Sequence, residues 1–147
     1  MNLQLSSLFY RYVVKNVFFQ FDPEKIHVLI ISVAEYLENF GVFKKLFAKN
    51  FFPKSSMLKQ NIAEIEFKNP IGLAAGFDYD GQLTQVLPTL GFGFETVGTI
   101  TNFSFEGNPR PRLGRLPKSK SLMVNKGFKN KGALKISEKL SKLEFKI

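Results

Sequence analysis

Cysteine is absent from all 147 residues, which excludes a disulfide framework, thiol chemistry and any cysteine-based metal centre. A single histidine, His27, excludes a histidine cluster as well, and no metal site is expected. No uninterrupted apolar run reaches the roughly 18–20 residues that a membrane-crossing helix needs. The N-terminus lacks a small-residue cleavage pattern after a short apolar core, so a signal peptide is not expected. What remains is 44% hydrophobic, too apolar for a disordered chain and long enough for one domain with a core.

Acidic residues are scarce in the last third. Residues 106–147 carry twelve Lys and Arg against three acids, a local charge of +9, whereas residues 1–50 carry six against four and residues 51–105 three against five. The basic third suits nucleic acid, anionic lipid or a phosphate-bearing ligand; over Lys129 to Lys146 it also reads as a solvated helix face. Aromatics collect at the opposite end, with twelve of the twenty-one Phe and Tyr before Pro53. That separation leaves no interleaved stacking platform for single-stranded nucleic acid.

The aromatic end has helical periodicity. Over residues 3–19, Leu5, Leu8, Phe9, Tyr12, Val13 and Val17 share one face, with Arg11 and Lys15 on the polar side. In "FDPEKIH", Asp22 is a helix cap, Pro23 suits the first turn and Glu24 faces the positive dipole end. A second helix is predicted from about Pro23 to Phe40, with Gly41 as its stop, and "VFKKLFAKNFF" reads as a third amphipathic piece. These faces either pack onto the rest of the fold or lie on a bilayer surface with Lys and Arg at the headgroups.

After Pro53 the pattern changes to strands. "AEIEF" alternates like a half-exposed strand, and "PIGLAAG" reads as a short buried one. "GQLTQVLPTLG" reads as a helix closing at Gly91, and "FETVGTIT" as a second β-branched strand, which together make a βαβ unit and an α/β fold. Residues 102–117 read as loop, residues 131–143 as a final helix, and "EFKI" as the opening of another strand. In strand–helix barrels ligands sit at the C-terminal strand ends. Ala74, Ala75 and Gly76 leave room there for a planar ring, and Thr99 offers a hydroxyl; tight strand–helix packing is the competing reading of the same small residues.

Five motifs, "FDPEKIH", "NPIGLAAGFD", "GFGFETVGTIT", "GNPRPRLGRLP" and "GFKN", stand in an order and spacing that resemble the quinone-dependent (class 2) dihydroorotate dehydrogenases. The resemblance covers nearly the whole chain and implies the N-terminal part of a TIM (β/α)8 barrel, residues 53–147, preceded by a helical membrane and quinone-tunnel extension, residues 1–52. It implies FMN as cofactor, oxidation of dihydroorotate to orotate in pyrimidine synthesis, and a membrane quinone as acceptor. The implied location is the cytoplasmic face of the cell membrane.

By the same resemblance, Ala75, Gly76, Phe77, Asp78, Tyr79 and Thr99 match flavin contacts. Tyr79 and the segment Val124, Asn125, Lys126, Gly127 and Phe128 match substrate contacts, and His27 and Arg115 match the quinone site. Two positions depart from the family pattern. Tyr79 stands where the family has Lys, and Val124 where it has the Asn of its substrate segment. We expect an exchange in which Lys126 restores the lost charge and Asn125 takes over the amide contact. The family's catalytic Ser is expected beyond residue 147, and Ser119, Ser121, Ser137 and Ser141 are not assigned that role. The polypeptide alone is therefore expected to be inactive and poorly soluble, with an unpaired barrel edge. A soluble-acceptor flavin barrel and a non-enzymatic basic module binding membrane or nucleic acid are the alternatives.

Overall fold

Asp22 starts the element that organises the molecule. Its Oδ1 accepts hydrogen bonds from the amides of Glu24 and Lys25, both at 2.9 Å, and Pro23 opens α3 (Pro23–Leu37) as the sequence predicts. In the computed structural model, which describes residues 3–51 and 56–143, α3 is preceded by α1 (Leu3–Phe9), a π-helical turn (Tyr10–Val14) and α2 (Lys15–Phe18). The expected helix over 3–19 is therefore widened by one π segment.

α3 ends three residues before the predicted Phe40. The Asn39 side chain donates to the Tyr36 carbonyl at 3.3 Å and so competes for the last turn. Gly41 does not stop α3; it opens α4 (Gly41–Phe51), and the two helices meet at 107°.

The strand expected at "AEIEF" is half of a hairpin. β1 (Gln60–Ile62) pairs antiparallel with β2 (Ile65–Phe67), and Ala63 and Glu64 form the turn with φ of 50° and 65°. Such turns usually carry Asn or Gly, so the sequence holds no signal for this one.

β3 (Gly72–Leu73) and β4 (Phe94–Glu95) form the expected parallel pair, with Gly72 opposite Phe94 and Leu73 opposite Glu95. Both are shorter than predicted, because pairing is limited to this register and two flanking bonds, Gly93 N to Ile71 O at 2.8 Å and Thr96 N to Leu73 O at 2.9 Å. The helix expected over 81–91 contracts to a 3-10 turn at Leu87–Leu90. Pro88 lacks an amide to continue it, and the Leu83 amide bonds the Asp78 carboxylate at 2.6 Å instead of a helical carbonyl. Residues 102–117 are not all loop: β5 (Leu113–Leu116) pairs antiparallel with β6 (Ser121–Val124). The final helix, α5 (Ala133–Ser141), forms within its predicted span. The "EFKI" prediction lies outside the described residues.

The core sits between α3 and the β3–β4 connection. Ile31, Leu83 and Leu87 are buried together, with Ala34, Leu73, Leu90 and Phe92 against them. Each of the three buried aliphatics contributes roughly 1.5–3 kcal/mol. Polar links fix the same packing. Arg112 pairs with Glu24 through Nη2 at 2.7 Å and Nε at 2.8 Å, both residues being buried. Glu35 of α3 accepts from Lys139 of α5 and from Gln82, each at 2.5 Å.

Candidate functional site

The small residues of "GLAAG" serve two different purposes. A Cβ on Gly72 would stand 2.1 Å from the Phe94 ring, so its smallness admits a neighbouring strand's side chain. Gly76, by contrast, has a φ of 95° and open space around the position of a Cβ, and Ala74 and Ala75 beside it are exposed. A bare shelf therefore exists at the C-terminal end of β3.

The end of β4 is pressed against it. The Gly98 amide donates to the Asp78 carbonyl at 2.8 Å, and a Cβ on Gly98 would meet the Tyr79 carbonyl at 2.6 Å. The exposed Thr99 follows directly.

Asp78 itself points inward. Its side chain is wholly buried and accepts from the Asp80 amide at 3.2 Å and the Leu83 amide at 2.6 Å, so it holds the turn rather than facing the shelf. Asp80 continues the chain of anchors by accepting from the Lys131 amide at 2.9 Å. Glu95 lies behind the turn. Burial first, and the neighbouring Asp78 carboxylate second, push its carboxyl up to about 8, so near neutrality it holds its proton and bonds to Asp78. Among the described residues, its Oε1 and the Thr84 hydroxyl have no hydrogen-bond partner.

A cavity of about 360 Å³ opens beside Gly76, between the helices and the β5–β6 hairpin. His27 reaches it from α3. The His27 Nε2 lies 2.8 Å from the Phe77 carbonyl, which can only accept, so Nε2 carries the proton and Nδ1 is bare. Lys126 Nζ approaches that Nδ1 at 3.4 Å and stands 4.2 Å from the centre of the Tyr79 ring.

Burial lowers the Lys126 ammonium to about 8. Burial and then the Lys126 charge lower His27 below its ordinary value. Arg115 donates to the Phe21 carbonyl at 2.6 Å and stacks on Phe19 at 4.7 Å, closing the cavity against the α2–α3 junction. Phe18 and Ile30 line this cavity and also a second, mainly apolar one of about 350 Å³ between α3 and α4.

Seven of the sequence-predicted residues thus meet around one space: His27, Gly76, Phe77, Tyr79, Arg115, Val124 and Lys126. The rest of the predicted substrate segment turns away. Asn125 Oδ1 accepts from Asn108 Nδ2 at 2.9 Å, Gly127 adopts a φ of 68° against the Asn108 side chain, and Phe128 is exposed. Arg112 and Asn130 shape the site and were not singled out from the sequence, and Glu24, read there only as a helix-dipole partner, has a second role. Arg112 and Glu24 form a buried pair that carries the β5 end to α3. Asn130 holds Thr101 and the Phe128 carbonyl at 2.8 and 2.7 Å. A buried Asn or ion pair has no sequence signature of its own.

The sequence profile of the family described as Dihydroorotate dehydrogenase matches residues 57–146. The chain belongs to the dihydroorotate dehydrogenase family. It is 40% identical to the dihydroorotate dehydrogenase (quinone) of Trichodesmium erythraeum over 80% of this chain and 33% of that protein. It is also 40% identical to that of a Sulfurovum species, over 90% and 37%. The solved dihydroorotate dehydrogenase of Eimeria tenella, in complex with ferulenol, superposes with a TM-score of 0.66 at 33% identity, covering 82% of this chain and 30% of that one. The chain spans about a third of the length of the curated relatives it matches. In this family β3 and β4 belong to an α/β barrel, of which the chain is the N-terminal portion behind its amphipathic helices.

Proposed function

We propose that this segment forms the flavin shelf and the acceptor-side wall of an FMN-dependent dihydroorotate dehydrogenase. That enzyme oxidises (S)-dihydroorotate to orotate and passes the electrons to a membrane quinone, in de novo pyrimidine synthesis. The observation that carries the reading is the meeting of the Gly76 shelf, His27, Arg115 and Lys126 around one cavity beside the helical layer.

The residues present fit the cofactor. Gly76 leaves a face on which a Cβ would meet nothing, and among the described residues the cavity lining holds Lys15, Arg115 and Lys126 but no carboxylate. FMN, when bound, supplies the two-electron chemistry. Ala75 and Gly76 give it an unobstructed surface, Thr99 a hydroxyl, and Lys126 a cation; Tyr79, in the position of the family's Lys, carries that cation over its ring instead. His27 and Arg115 stand on the side facing the helices, where the quinone is expected to arrive.

The exposed face of the first helices supports a peripheral membrane location, which the family resemblance puts at the cytoplasmic face. Leu5, Leu8, Phe9, Tyr12, Val13 and Val17, which the sequence assigns to one face, are all exposed. Among the described residues no single helix is long and apolar enough to cross a membrane. The basic-module alternative is weakened by the pairing of its cations: Lys129 with Glu106 at 3.9 Å, Lys131 with Asp80 at 3.9 Å, and Lys139 with Glu35.

The test is purification of the protein that carries this segment, followed by flavin absorbance and dihydroorotate-dependent quinone reduction. A colourless protein without that turnover overturns the reading. Turnover with a soluble acceptor but no quinone replaces it with the soluble-acceptor alternative.

A further inference from the structure

Lys126 is a buried cation without an acidic partner among the described residues. Glu24, the carboxylate that raises its proton affinity, is already committed to Arg112 at 2.7 Å and to Arg110 at 3.5 Å. Among the described residues, the groups touching its amine are the bare Nδ1 of His27 and the face of Tyr79. Lys129 works against its charge, while the carboxylates of Asp78 and Glu24 raise the proton affinity of His27.

Burying an unpaired charge is costly, and the cost is recovered where the charge meets an anionic ligand. The backbone is arranged to keep Lys126 there. The Asn108 amide bonds the Lys126 carbonyl at 2.9 Å, and a Cβ on Gly107 would stand 2.4 Å from that carbonyl. Among the described residues, two further cations and no acid line the cavity it faces.

We propose that Lys126 and His27 act as one unit that recognises an anionic oxygen on a planar ring laid against Gly76. Lys126 supplies the charge, and His27 is the residue that positions it. The Phe77 carbonyl fixes the His27 tautomer, the tautomer presents an acceptor to Lys126, and the acceptor holds the amine over Tyr79 at the edge of the shelf. Ligand capture is then coupled to proton uptake, because a bound oxyanion favours the ammonium form. The inference rests on the flavoenzyme reading for the identity of the ring. A carboxylated pyrimidine and a flavin share the required chemistry.

Two measurements test it on the protein carrying this segment. The first follows the Lys126 amine by NMR from about pH 6 to about pH 11, assigned by its loss in Lys126→Met. The expected midpoint is about 8 without ligand, rising when orotate or FMN is added. His27→Leu, which keeps volume but removes the acceptor, lowers that midpoint, and His27→Gln, which restores an acceptor, brings it back.

The second titrates FMN by fluorescence quenching and orotate by calorimetry, which tells the two ring sources apart. Lys126→Met weakens at least one of them by about tenfold or more at neutral pH and removes its decline toward alkaline pH. Lys126→Arg keeps binding and removes only the pH dependence. An amine that titrates at its ordinary value, or one that ligand does not move in a protein that binds FMN, overturns this inference and leaves the dehydrogenase reading standing. A parent protein that binds neither FMN nor orotate overturns both.

Discussion

Glu95 is a carboxyl that folding keeps protonated. In the unfolded chain it titrates near 4.5, and in the fold burial and Asp78 raise it to about 8. Between those values the native state binds more protons than the unfolded state, so stability falls as pH rises. Its contribution is fully present below about pH 4.5 and is lost as pH climbs through about 8. Urea midpoints measured across that window are expected to decrease with pH. Glu95→Gln, neutral throughout and still a donor to Asp78, should flatten the slope over this range; an unchanged slope means that another group sets it. The sequence places Glu95 on a strand, and only the folded chain puts it behind Asp78, 17 positions back. The same holds for Lys126. Its departure from the family pattern is visible in "VNKGF", but its burial and its contacts with His27 of α3 and Tyr79 after β3 come from the tertiary fold.

Elements whose signals are local were legible, and those whose signals are not were missed. α3 begins where Asp22 and Pro23 say it does, because cap and first turn involve adjacent residues. The β1–β2 turn was hidden because Ala63 and Glu64 take positive φ without Gly or Asn. Glu64→Gly should therefore stabilise the hairpin by about 1 kcal/mol, measured by thermal or chemical unfolding. The 81–91 helix was over-predicted because the apolar spacing of "GQLTQVLPTLG" is helical while Asp78 captures the Leu83 amide. The Glu24–Arg112 pair fixes how α3 meets the β5 end. Removing one partner, as in Glu24→Ala, leaves a buried guanidinium and is expected to cost about 3–5 kcal/mol. Glu24→Leu with Arg112→Met should recover most of that loss, and a double variant no better than Glu24→Ala refutes the ion pair as the cause.

At the scale of the whole molecule α3 is covered by the core, whereas among the described residues the helical segment before it buries none. Ile31 and Ala34 pack into the core, while Leu5 and Tyr12 are two-thirds exposed, at 66% and 65%. If that outer face rests on a bilayer, Leu5→Glu with Tyr12→Glu should reduce liposome co-sedimentation by tenfold or more, since each buried apolar side chain contributes roughly 1.5–3 kcal/mol. Raising the salt concentration should reduce binding far less than the double substitution does; the reverse result assigns binding to the basic third of the chain. The sequence by itself determined the amphipathic helices, the parallel strand pair, the Gly76 turn and the family, because each is carried by short motifs whose own residues are adjacent along the chain. The tertiary structure alone decided that His27, Tyr79, Arg115 and Lys126 share one cavity, and that Lys126 lies there without an acidic partner among the described residues. Those residues are up to 99 positions apart, and contacts across such separations are set by how α3 docks on the strand ends, not by local preference.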